Sequence, residues 1–300
     1  MKKTKMISKL SIGLLTISIF LISEIVNAQT EYDIYDSLIV RAEGYLVKKE
    51  FSKAIENYQN ALDRVKPSSP TPYFKLAFCM LELNDAKKAQ NWIKKGISEG
   101  GGKKDYLLNF EEFSKYKESK MFSEILSSYD VLRKRYLNSI ANIDIYLEIE
   151  QMLVRDQLVR KIDDIIRGRS QEDMELIVNK LETSIINGDI NQINKYEKML
   201  FPEPIEEYKE LNRRLIRKVD SINISRLITI TEEFGWQENA WLILWHQRDS
   251  YGDKNRIWNH FKPLIDEEIA SGTLSRSFWL PFENFNNFSN LKINISVDEN

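Results

Sequence analysis

The 300-residue chain is 42% hydrophobic and 29% charged, the balance of a globular protein long enough for two domains. A formal charge of -2 at pH 7, with no basic patch interleaved with aromatics, excludes nucleic acid as an expected partner. A single cysteine, Cys79, excludes an internal disulfide, and its neighbours Phe78 and Met80 mark it as a small buried hydrophobe.

Met1 to Ala28 has the form of a secretory signal peptide. Lys2, Lys3 and Lys5 open it, an apolar run follows from Leu10 to Ile22, and Val26-Asn27-Ala28 offers small residues for cleavage before Gln29. The expectation is an exported protein, periplasmic or secreted, with no membrane span after cleavage; an uncleaved anchor is the alternative. Losing Lys2, Lys3, Lys5, Lys9 and Glu24 with this leader takes the formal charge to -5.

Residues 29–128 carry a repeat at an offset of thirty-five: Leu38 with Tyr73, Ala42 with Ala77, Tyr45 with Met80, Ala54 with Ala89, Tyr58 with Ile93, and Ala61 with Gly96. Alanines at 42, 54 and 61 let helices approach closely, while Tyr45, Phe51 and Tyr58 fill the spaces between. In this pattern the stretch resembles the tetratricopeptide repeat family. It departs from that family at Lys49 and Asn84, where a turn glycine is usual, and at Gly96, where an alanine is usual. Leu107 to Leu126, with Phe110, Phe113 and Phe122, reads as a degenerate third unit or cap.

The resemblance implies a concave groove lined by the first helix of each pair, which here gives Asp36, Ile39, Glu43, Leu46 and Val47, then Thr71, Phe74, Phe78, Leu81 and Glu82. Ile39, Glu43, Leu46, Phe74, Phe78 and Glu82 are the expected binding residues. None of the groove positions is Lys, Arg or Asn, so the groove is expected to be apolar or cation-accepting rather than a carboxylate clamp. The alternative is that the chain's own later helices fill it.

Residues 129–204 read as a helical connector. Leu132, Tyr136, Ile140, Ile143 and Leu147 recur at helical spacing, predicting one long helix or two joined near Asn142, with Gly168 as a stop. Two more helices follow, Gln171 to Ile186 and Gln192 to Leu200, before the break at Phe201-Pro202-Glu203-Pro204. Residues 205–300 form an aromatic-rich helical domain holding five of the six tryptophans. Ile205 to Val219 and Ser221 to Phe234 are expected as separate helices, the second ended by Gly235. The stretch around Trp241-Leu242-Ile243-Leu244-Trp245 is apolar nearly all round and should be a buried central helix. Pro263 should kink or divide the helix Lys254 to Ala270, and Leu291 to Val297 alternates like a strand. The fold class is all-α: tetratricopeptide-like hairpins, a long connecting helix and a C-terminal helical domain.

A second set of residues, Asp156-Gln157-Leu158-Val159-Arg160, Asp220 with Asn223, Gly235-Trp236, and Ala240-Trp241 leading to His246, resembles a bacterial domain of unknown function. Gln247 after His246, rather than a glutamine before it, and a missing closing segment are its departures. The resemblance implies an architecture and no transferable reaction.

His246 is the catalytic candidate, a general base with Asp249 nearby as an orienting carboxylate; the alternative is a hydrogen-bonded histidine at the core edge. His260 falls off the apolar stripe of its helix and is expected to be solvated. Asp156 and Arg160, four apart on a helix, read as an ion pair. Metal-ligand spacing is absent, and no cofactor motif occurs. These readings predict a binder of another protein or peptide through the repeat groove, with an enzyme using His246 as the alternative.

Overall fold

The computed structural model describes residues 30–166, 168, 170–200 and 206–287. The expected signal peptide, the 201–204 break and the strand-like 291–297 lie outside the described residues. The described residues contain helices and no strand, so the fold is all-α. They divide into two compact units, residues 30–139 with Glu268–Phe278, and residues 140–267 with 279–287. The first of these divisions falls at 139/140. No described helix is long and apolar enough to cross a membrane.

In the first unit, α1 (Glu31–Val47) starts at a capping box, Asp33 N donating to Thr30 Oγ1 at 3.1 Å and Thr30 N to Asp33 Oδ2 at 2.9 Å. It pairs with α2 (Phe51–Arg64), and α3 (Thr71–Glu82) pairs with α4 (Ala86–Ser98). Both hairpins turn alike. Lys49 N reaches Leu46 O and Glu50 N reaches Tyr45 O, each at 2.9 Å; Asn84 N reaches Leu81 O and Asp85 N reaches Met80 O, again at 2.9 Å. Lys49 and Asn84 carry φ of 59° and 60°, the left-handed conformation that a glycine adopts without cost. The two departures from a turn glycine therefore preserve the turn.

Ala42, Ala54, Ala61, Ala77 and Ala89 are all 0% exposed, as close helix approach requires. Gly96 has a steric cause, because a Cβ there would meet the Phe74 ring at 2.5 Å and Tyr73 Cβ at 3.1 Å. The first hairpin places Ile39 and Ala61 at the equivalent positions, so a larger ring opposite is matched by a smaller residue. Phe74 is fully buried, 5.4 Å from Phe110 and 5.6 Å from Phe113 between ring centroids. Those rings come from the 3-10 turn Glu111–Tyr116 and its flank, after the short α5 (Lys104–Asn109) and before α6 (Lys120–Ser139), which packs on α4.

The second unit begins with α7 (Ile143–Ile166). The chain breaks at residues 140–142, and Asn142 Oδ1 accepts from Ile145 N at 3.2 Å, capping the new helix. The hairpin of α8 (Gln171–Asn187) and α9 (Ile190–Leu200) turns at Gly188, φ 66°. Next comes α10 (Glu206–Phe234), one helix where two were expected. No Pro or Gly interrupts it, and Val219, Asn223, Ile224 and Leu227 keep one face buried straight through Asp220. Gly235, φ 72°, ends it as expected.

The expected central helix is instead three short pieces: a 3-10 turn at Glu238–Ala240, α11 (Trp241–Trp245) and a 3-10 turn at Arg248–Ser250. Leu244, Ile243 and Ala240 are buried, but Trp241 and Trp245 are only partly so. They stack on one another with centroids 5.3 Å apart, and Trp245 meets Phe282 at 5.2 Å. The fully buried aromatics of this unit are Phe261 and Phe282. Finally α12 (Arg256–Ser271) continues through Pro263, which does not divide it. Pro263 and Asn259, whose carbonyl the proline leaves unbonded, are both exposed, so water satisfies the freed acceptor.

Candidate functional site

α7 and α10 pair through polar residues spaced a turn apart. Arg226 Nε and Nη2 grip the Glu148 carboxylate at 2.6 and 2.8 Å, and Asn223 Nδ2 donates to Met152 O at 3.3 Å. One turn further, Arg160 Nη2 donates to Asp156 Oδ1 at 3.1 Å and to Asp220 Oδ1 at 2.6 Å. As residue numbers rise on α7 they fall on α10, which makes the helices antiparallel here. The C-terminal end of α11 brings His246 onto the same cluster, with Nδ1 2.9 Å from Asp156 Oδ2. Asp156 is 1% exposed and also accepts from Gln157 Nε2 at 2.9 Å.

Arg160 Nε lies 3.2 Å from the same His246 Nδ1. One ring nitrogen cannot donate to Asp156 and accept from Arg160 at once. Donation to the buried carboxylate is the shorter and charge-assisted choice, and the alternative would set two lone pairs against each other. His246 is therefore assigned the Nδ1–H tautomer, which leaves the Nε2 lone pair without a hydrogen-bond partner among the described residues.

The two carboxylates are tuned in opposite directions. Burial pushes the Asp156 carboxyl up, but His246, Arg160 and Gln157 together outweigh it and hold it below its ordinary range. Burial also pushes Asp220 up, and the Asp156 charge adds to this; Arg160 opposes both without overcoming them, so Asp220 stays raised. One arginine shared by two carboxylates compensates the more hydrogen-bonded one first.

Asp156, Asp220 and His246 each place one ligand atom within 4.8 Å of the others, a grouping that the sequence spacing did not show. Arg160 donates to one oxygen of each carboxylate, so its guanidinium already supplies the cluster with a positive charge.

The catalytic expectation changes in one respect. The carboxylate beside His246 is Asp156, ninety residues earlier; Asp249 is exposed and forms no hydrogen bond or ion pair with His246 among the described residues. The Asp156–Arg160 ion pair exists as expected and is also part of the cluster. His260 is corrected too: its Nε2 lies 2.8 Å from Thr231 Oγ1 on α10, and burial lowers its pKa. Asp156, Arg160, Asp220 and His246 all belong to the second sequence resemblance, the one sequence signal that could have found them.

The groove residues fare differently. Phe74 is core and cannot line an accessible surface. Glu43 accepts from Tyr58 OH at 2.7 Å and pairs with Lys75 at 2.6 Å. Glu82 accepts from Tyr116 OH at 2.8 Å and pairs with Lys115 at 2.5 Å. Ile39, Leu46 and Phe78 pack partly buried against the same core. Asp36 is taken by the chain itself, since Ser275 donates to it at 2.5 Å, while Arg276 pairs with Asp33 at 2.8 Å. Compared with known proteins, the chain matches no protein-family model, no curated protein and no solved structure.

Proposed function

We propose that the second unit is a catalytic domain for hydrolase-like acid–base chemistry, with His246 as the general base. The observation that carries this reading is the 2.9 Å contact from Nδ1 to a carboxylate that is 1% exposed, on a ring whose Nε2 is uncommitted and whose side chain remains 12% exposed. Asp156 fixes the tautomer and stabilises the imidazolium formed when Nε2 takes a proton. No Ser or Cys side chain is hydrogen-bonded to His246 among the described residues, so water is the nucleophile. Nε2 accepts one proton from that water as its oxygen attacks the substrate, then returns the proton to the leaving group. Arg160 holds the two carboxylates in place. Of the six groove positions only Ile39, Leu46 and Phe78 keep partly exposed apolar surface without a polar partner, so protein binding by the hairpins is the secondary role.

The test uses the fact that the chain has only two histidines. Long-range proton–nitrogen spectra, assigned with His246→Gln, are expected to show His246 with its proton on Nδ1, and Asp156→Asn should shift that population toward Nε2–H. Diethyl pyrocarbonate should modify His246 in the native protein, more slowly in Asp156→Asn. A neutral Nε2–H tautomer together with an unreactive ring would sink the proposal.

A further inference from the structure

Arg248, two residues beyond His246, is held in an unusual way for a cation. Its guanidinium carbon lies 4.7 Å from the Trp245 ring centroid and 4.8 Å from that of Phe285, so two aromatic rings flank it. Nη1 donates to Trp245 O at 3.2 Å. Nε is buried and makes no hydrogen bond, and no carboxylate among the described residues forms an ion pair with this side chain. Nη2 has no partner there either, which leaves the whole Nε–Nη2 edge, the edge that takes two oxygens side by side, unused.

The aromatic contacts offset part of the desolvation of this cation, yet they supply no counter-charge and no acceptor. Burial lowers its pKa; Asp249, exposed and next in sequence, opposes this, and the nearby Arg160 guanidinium adds to the lowering. Asp156 and Asp220 each give one oxygen to Arg160, and neither forms an ion pair with Arg248. A side chain fixed in orientation, half-desolvated and without an oxyanion among the described residues is pre-organised for one.

We propose that Arg248 is the anion-binding residue of the His246 site, taking a carboxylate or phosphoryl group of the substrate on its Nε–Nη2 edge. The placement beside the proton-transfer centre rests on the acid–base reading above; the anion site itself does not. Both ligand types share planar or tetrahedral oxygens that accept two parallel N–H bonds.

Intrinsic tryptophan fluorescence and thermal melting of the full chain, titrated with inorganic phosphate and separately with succinate against chloride at matched ionic strength, test this. The expected result is saturable quenching and a raised melting temperature with at least one of the two, the tighter one naming the source. Arg248→Lys keeps the charge and loses the two-oxygen edge, and should weaken binding roughly tenfold or more. Arg248→Met should abolish it; if that variant fails to fold, Arg248→Lys decides. No saturable response in the native chain, or an unchanged one in Arg248→Lys, overturns the proposal and leaves Arg248 an aromatic-stacked strut. Phosphate binding with a failed His246 tautomer would keep the anion site and discard the base; the reverse pair of results would do the opposite.

Discussion

The hairpin unit and the second unit both bury helix faces, but they fill them with different chemistry. Between α1 and α4 the buried positions are alanines, aromatics and aliphatics, and the carboxylates Glu43 and Glu82 stay at the margin, each tied to a tyrosine and a lysine. Between α7 and α10 a carboxylate is buried to 1% exposure and an arginine and histidine converge on it. Burying charge is expensive and is not needed to close a helix pair, as the first unit demonstrates. The buried cluster is the observation behind the acid–base role proposed above, and the comparison can be broken at three places.

The largest effect is expected from Phe74→Ala. If this ring is core rather than groove, its loss should cost about 3 to 5 kcal/mol in chemical denaturation, with little change between pH 4 and pH 7. A variant within about 0.5 kcal/mol of the parent, the range of surface changes, would return Phe74 to the groove.

A charge-based interface should instead respond to pH. Asp156→Asn is expected to cost about 3 kcal/mol near pH 7, the low end for breaking a buried ion pair, since Asp220 still serves Arg160. The Asp156 pKa is depressed in the folded state, so its contribution is complete above the unfolded value of about 3.9 and disappears as pH falls through the lower folded value. The gap between parent and variant should therefore close in acid. Asp220 has the opposite sign: its raised pKa means that its charge costs stability as pH rises from about 3.9 through the folded value. Asp220→Asn should consequently cost less than Asp156→Asn at neutral pH. Urea midpoints across pH that rank the two variants the other way would refute this account of the cluster.

The smallest of the three sharpens the packing side. Gly96→Ala should cost about 1 to 3 kcal/mol by overpacking against Phe74. The same change in a Phe74→Ile background, which reproduces the Ile39 and Ala61 pair of the first hairpin, should cost less than it does alone. Purely additive effects in this double-mutant cycle would show that ring and glycine are independent.

The legible parts were local. The thirty-five-residue offset, the five alanines, the break at Asn142 and the stop at Gly235 each depend on helical periodicity or on turn chemistry within a few residues, and those are written directly in the chain. The all-α fold follows from the same signals. Less legible was Trp241–Trp245, whose composition promised a buried helix; its stacked rings are only partly buried because the segment is one turn long and its Ile243 and Leu244 take the core face. Phe74 looked like a groove residue because repeat position alone does not reveal which rings, here Phe110 and Phe113, come from the next segment to cover it.

The sequence by itself determined the helices and their turns, and it offered His246 with Asp249 as the catalytic candidates and Asp156 with Arg160 as an ion pair. Which carboxylate faces His246 was decided only by tertiary structure. Proximity in sequence favoured Asp249, but a carboxylate ninety residues earlier, on α7, was brought to 2.9 Å by the antiparallel packing of α7 on α10 and the contacts of the short α11 with both. Hydrogen bonds between side chains act over about 3 Å, and no pattern along a chain records which distant residues will end within that reach.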